Sequence, residues 1–185
     1  KEQRVLENQA MLKWNNHKKA KIHPEVVKKN LSNDIKAGFA IVVPLNLLDH
    51  LSTSMLCSLG VTEQGSFSET GERIMKYRLT HDQTFTVLED SESLNNLSDI
   101  SKYPEMIYGH ALPRFIYQIL SLRYHYPNER ILMCKFDLCK AYRRLQWHGS
   151  SALRCIAVFG GFLYILLRLS FGGTVCPPAF TGVSE

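Results

Sequence analysis

Apolar and polar positions change their spacing along the chain, and each change marks an element. In HPEVVKKNLSNDIKAG, apolar Val27, Leu31 and Ile35 recur four residues apart, with Pro24 near the start and Gly38 as a stop. That spacing predicts a helix, and residues 1–36 as a whole read as a charged helical lead-in with a solvated face. No chemistry is assigned to it. FAIVVPL (39–45) reads as a short buried strand or extended segment closed by Pro44. MLCSLGVTEQGSFSETGERIMKYRLTHD has two strand-like arms around a polar loop at Gly65 to Gly71, which predicts a long hairpin. The alternation in its second arm is taken to turn Arg73 and Lys76 away from Ile74 and Met75.

LEDSESLNNLSDISKYP is a polar connection. After Pro113, Phe115, Ile116, Ile119 and Leu120 recur at helical spacing and predict an amphipathic helix to Tyr124. YPNER turns the chain, and ILMCKFD (131–137) reads as a strand that ends on a carboxylate. ALRCIAVF and FLYILLRLS predict a hairpin through Gly160-Gly161, and FGGTVCPPAFTGVSE a glycine-rich turn that leads into an incomplete helix. The order helix, hairpin, helix, strand, hairpin, helix predicts an α+β fold, with an antiparallel sheet and helices packed on one side.

Composition changes this picture little. Of the 185 residues, 45% are hydrophobic and 21% charged, as in ordinary globular domains. Lys and Arg number 22 against 17 Asp and Glu, a net charge of +5 that mildly favours an anionic partner. The five cysteines show no paired metal spacing, and several sit in apolar runs, which fits a reduced, intracellular compartment. The uncharged run CIAVFGGFLYILL is too short to span a bilayer, so no membrane role is expected. A chain that starts at Lys1 and stops at Glu185 in mid-pattern reads as a piece of a longer protein.

Candidate chemistry centres on CKFDLCKAYRRLQW. An aspartate at a strand end is most often a cap or turn former. Asp137 also suits a magnesium ion, because a hard cation takes carboxylate oxygens and the carbonyl of Leu138 offers a further one. Tyr142 is either core filler or the floor of a pocket beside that ion, where a ring against a sugar would clash with a 2′-hydroxyl. On MKYRLTHD, Lys76 reads equally well as a solvated residue, whereas Arg78 has the fork geometry to hold a triphosphate. LSFGGTVCPPAF is either a glycine-proline turn before a helix or a surface where glycine lets the backbone approach a base pair closely, with Phe171 packed on the incoming nucleotide or template.

Taken in order, these blocks resemble the first part of a reverse transcriptase, closest in style to those of retrotransposons. KYRLTHDQ resembles the fingers block. CKFDLCKAYRRL resembles the first catalytic block, an aspartate followed by a small-aromatic pair, here Ala141-Tyr142. Leu169, Phe171, Gly172, Pro177 and Phe180 fall where the glycine-proline block has them, although Ser170 stands in place of a usual proline. The resemblance covers residues 38–185, as fingers and an incomplete palm behind the lead-in of residues 1–37.

It implies an RNA-directed DNA polymerase that uses two Mg2+ ions, dNTPs and a primed RNA or DNA template. It gives Asp137 the catalytic metal, with Leu138, and gives Arg78, Lys76, Ala141, Tyr142, Phe171 and Gly172 the dNTP. Arg73, Arg143 and Arg144 are candidate nucleic-acid contacts, although Lys140, Arg143 and Arg144 are each more simply read as solvated residues. The family's Asp-Asp hairpin is expected beyond Glu185. Two rivals stand beside this reading. One is a catalytically dead, nucleic-acid-binding remnant of such an element. The other is a plain α+β domain in which Asp137 and Arg78 make structural ion pairs.

Overall fold

A computed structural model describes residues 2–51, 53–106, 110–134 and 138–184 of the chain. Three helices open it: α1 (Glu2–Trp14), α2 (Lys18–Ile22) and α3 (Pro24–Lys36). The first strand, β1 (Ala40–Pro44), is followed by a 3-10 turn over Leu45–His50 and then by β2 (Leu56–Phe67) and β3 (Arg73–Asp82). Next come α4 (Ala111–His125), a 3-10 turn at Ala141–Arg144, and α5 (Gly149–Ala152). The chain closes with β4 (Ile156–Phe159), β5 (Phe162–Leu166) and α6 (Cys176–Ser184). The class is α+β, as the sequence predicts.

The five strands form one sheet in the order β1-β5-β4-β2-β3. Three of its four pairings are antiparallel, but β2 and β4 run parallel, Leu56 beside Ile156 and Cys57 beside Ala157. The sheet is therefore mixed, which corrects the expected antiparallel one. Local sequence signals specify hairpins, which are antiparallel by construction. A parallel pair joins strands nearly ninety residues apart, and no turn residue marks it.

Helices also cover both faces, not one. Leu59, Val61 and Ala157 pack with Ala20 of α2 and with Val27 and Leu31 of α3. Leu56, Ile156 and Leu163 pack with Met11 of α1 and with Leu45 and Leu48 of the 3-10 turn. Successive side chains of a strand point to opposite faces, so neighbours such as Ile156 and Ala157 separate the two clusters. The chain crosses between them at residues 15–17, where it takes up the free backbone edge of β2. His17 donates its backbone N–H to the Leu59 carbonyl at 3.0 Å, and the Leu59 N–H donates to the Asn16 side chain at 2.8 Å. The physical clue lay in the strands themselves. IAVF and FLYIL are apolar at successive positions, and a strand with one wet face would alternate.

Both hairpins form. Gly160 and Gly161 adopt φ of +58° and +81°, the left-handed pair that a two-residue hairpin turn requires. In the longer hairpin the strands pair out to Phe67 opposite Arg73, so its turn is shorter than the expected Gly65–Gly71 loop. Strand alternation puts Lys76 on the same face as Ile74 and Arg73 on that of Met75, which corrects the expected segregation. All four are exposed, because this end of the hairpin lies beyond Val61 and Leu79, the outermost of its residues in the buried core.

Two further expectations change. Of the expected strand 131–137, Ile131–Cys134 is not a strand, and Leu132 and Met133 are exposed, while 135–137 lie outside the described residues. An apolar run names no neighbour to pair with, and this one finds no sheet edge. On α3 the buried stripe is Val27, Leu31 and Asp34, with Ile35 left exposed.

Candidate nucleotide site

The segment after β5 and the turn before α5 are brought together by main-chain bonds. Trp147 donates its N–H to the Leu167 carbonyl at 2.9 Å, and Leu169 donates to the Leu145 carbonyl at 3.0 Å. A ladder of this kind places the 3-10 turn at Ala141–Arg144 beside the Phe171-Gly172 turn. Lys140, at φ +54°, supplies the left-handed residue that starts the 3-10 turn. Its ammonium lies 5.2 Å from the centre of the Phe39 ring.

Three of the expected residues then meet. The Tyr142 ring stands edge-on to Phe171, centroids 5.3 Å apart, and the Phe180 ring lies 6.0 Å from it on α6. Over Phe171, at 6.0 Å from the ring centre, sits the guanidinium carbon of Arg78. Arg78 and Phe171 are exposed and Tyr142 is half-buried, so the cluster opens to solvent on its cationic side. A guanidinium over a ring at this distance, the outer limit of a cation–π contact, keeps its N–H groups available to an anion, and such a contact contributes roughly 0.5 kcal/mol at an exposed site.

Gly172 accounts for how Phe171 gets there. Its φ is +116°, and a Cβ built on it would lie 1.8 Å from the carbonyl oxygen of His81, so no other residue fits. One residue earlier the Phe171 carbonyl accepts the His81 N–H at 3.1 Å. The close approach that the glycine permits is therefore to β3 of its own chain. Ser170, which replaces the proline expected on resemblance, is buried and accepts a bond from the Gln83 amide at 3.1 Å. A proline at that position would have no side-chain acceptor for this bond.

The remaining candidates scatter. Arg143 is held at 2.7 Å by Asp34 in a nearly buried ion pair that ties the 3-10 turn to α3. Burial raises the Asp34 pKa, and the charges of Arg143 and Lys140 offset this only in part. Arg143 is thus engaged inward, whereas Arg144 beside it is exposed. Lys76, opposite Gln64, and Arg73, opposite Phe67, lie on the projecting part of the hairpin. Ala141 is half-buried on the turn of Tyr142, and Leu138 is exposed. Asp137 lies outside the described residues. Among those described, no group of three or more His, Cys, Asp or Glu side chains is placed to hold a metal ion.

His81 and Asp34 had no role in the sequence reading. His81 is fully buried behind the Phe171-Gly172 turn, and among the described residues neither of its ring nitrogens has a hydrogen-bond partner. Burial, aided by the nearby Arg143 charge, lowers its pKa to about 3, so the ring is neutral at physiological pH. Nothing local in THDQ signals this. Asp34 did carry a signal, a carboxylate three residues after Leu31 on an apolar helical stripe.

No family model, curated protein or solved structure matches this chain. The site therefore stands on its own geometry. Among the described residues no helix is long and apolar enough to cross a membrane.

Proposed function

We propose that the Arg78–Phe171–Tyr142 cluster binds the triphosphate and sugar of a deoxynucleotide, in a chain built as part of an RNA-directed DNA polymerase. One observation carries the reading. Three residues from separate parts of the sequence, each expected on resemblance to touch a nucleotide, form one solvent-open cation–aromatic cluster.

Arg78 supplies charge-assisted hydrogen bonds to the phosphates, in which the planar fork matches pairs of phosphate oxygens. Phe171 fixes the height of that fork and offers an apolar surface to the nucleotide. Tyr142, held edge-on by Phe171 and Phe180, limits room at the sugar and so disfavours a 2′-hydroxyl. Asp137 and the Leu138 carbonyl are the hard oxygen donors that Mg2+ prefers. When bound, such ions neutralise phosphate charge and activate the attacking hydroxyl. The chain's own residues position and orient, and positioning dominates phosphoryl-transfer chemistry.

Titration of dTTP, dUTP and UTP into the chain in the presence of Mg2+ tests this. Arg78→Ala is expected to weaken dTTP binding by roughly tenfold or more, the loss of a charge-assisted contact. Tyr142→Ala is expected to narrow the preference for dUTP over UTP, a pair that differs only at the 2′-hydroxyl. If Arg78→Ala leaves dTTP affinity unchanged, the assignment is wrong.

A further inference from the structure

The exposed part of the cluster rests on a turn, residues 170–174, that belongs to no strand or helix. Something must hold that turn against β3 if Phe171 is to stay under Arg78. The backbone contact at His81 fixes one side. On the other side stands Asn95, from the polar connection after β3.

Its side-chain amide donates to the Gly172 carbonyl at 2.8 Å and to the Thr84 hydroxyl at 2.8 Å. Its side-chain oxygen accepts from the Thr174 N–H at 2.9 Å and from the Thr174 hydroxyl at 3.3 Å. Its own backbone N–H donates to the Gln83 carbonyl at 3.0 Å. One asparagine thus uses both amide hydrogens and its oxygen to join the exit of β3, at Gln83 and Thr84, to Gly172 and Thr174. Only a primary amide has that donor and acceptor set on a side chain this short. Gln83 clamps the same turn one step earlier, through Ser170.

We propose that Asn95 is a positioning residue for the nucleotide site: it locks the 172–174 turn onto the end of β3 and thereby holds Phe171 beneath the Arg78 guanidinium. Asn95 does not touch the ligand. Its contribution is preorganisation, since an Arg78 side chain freed from its ring samples more rotamers and loses more entropy on binding. The ligand, a nucleoside triphosphate, is taken from the function proposed above; the clamp itself is independent of it.

The test uses the whole chain with 4-fluorophenylalanine at position 171, read by fluorine NMR, alongside dTTP titration with Mg2+ over a range of salt concentrations. Asn95→Ala is expected to shift or split the fluorine resonance and to weaken dTTP binding by about tenfold. The dependence of binding on salt should stay as in the parent, because no charged contact is removed. Arg78→Ala, by contrast, should flatten that dependence. If Asn95→Ala does not fold by circular dichroism, Asn95→Ser serves instead. It stays uncharged but is too short to bridge Gly172, Thr84 and Thr174, and the same fluorine shift is expected.

A fluorine resonance and a dTTP affinity both unchanged in a folded Asn95 variant would overturn the clamp, whatever Arg78→Ala does. Loss of the resonance position together with an Arg78→Ala chain that binds dTTP normally would keep the clamp and remove the nucleotide function. A fluorine shift with unchanged dTTP affinity would overturn the positioning role.

Discussion

The β4–β5 hairpin and helix α4 are both apolar in sequence, and they meet opposite fates. Ile156, Ala157, Leu163 and Leu166 are each 0% exposed in the middle of the sheet. In α4, Leu112, Phe115 and Leu120 are 66%, 52% and 62% exposed, and no residue of the helix is buried. The hairpin has neighbours on both edges and helices over both faces. α4 has a correct helical period and no cover among the described residues. Periodicity reports how a segment coils, and burial depends on what lies against it.

The sharpest way to break that comparison is to empty the hairpin. Ile156→Ala removes a fully buried side chain between β5 and β2, with Met11 of α1 packed above it. Lost transfer energy and the residual cavity together should cost ~4 kcal/mol, read by chemical denaturation. A loss under ~1 kcal/mol would mean that this face of the sheet collapses freely and is not the core.

The same contrast explains what was legible in the sequence. Elements that depend on local signals were readable: α3 from its four-residue spacing and Pro24, both hairpins from their glycines, and α4 from Phe115 to Leu120. Features that depend on partners distant in sequence were not. The parallel β2–β4 pair, the two-sided cover of the sheet, and the failure of Ile131–Cys134 to join it are all of this kind. The candidate site divides likewise. Arg78, Tyr142 and Phe171 were chosen for their residue types in order, and they meet. Arg143 was chosen for its charge, and its partner Asp34 sits on another helix. Asn95 was invisible because an asparagine in a polar stretch is ordinarily a turn former.

A middle-sized effect comes from the polar group enclosed on the buried side. His81 takes no proton in the folded chain until about pH 3, whereas the unfolded chain takes one near 6.5. The unfolded state therefore binds the proton first as the solution is acidified. Stability is complete above pH 6.5 and is lost as pH falls toward 3, by ~2 kcal/mol between pH 7 and 5. Denaturation of the parent and of His81→Leu across that range isolates the contribution, because the other titrating groups are common to both. Parallel pH profiles would show that the ring is protonated in the fold and reaches solvent or an acceptor. No histidine of α4 sits in such surroundings: His125, near its C-terminus, is exposed and bonded to the Ser121 carbonyl.

The smallest effect is the most informative about α4. Ile116 and Leu120 are one turn apart on the helix and 48% and 62% exposed. Replacing both by glutamine keeps helix propensity nearly constant, and exposed positions change stability by no more than ~0.5 kcal/mol each. The double variant should therefore unfold within ~1 kcal/mol of the parent. It should also be the more soluble chain, since contiguous exposed apolar area drives self-association. A loss of several kcal/mol would show that these side chains are covered in solution, and the distinction between α4 and the hairpin would disappear. The two outcomes differ by more than the error of a denaturation midpoint. The experiment thus decides whether a helix legible from its period alone has a place in the core.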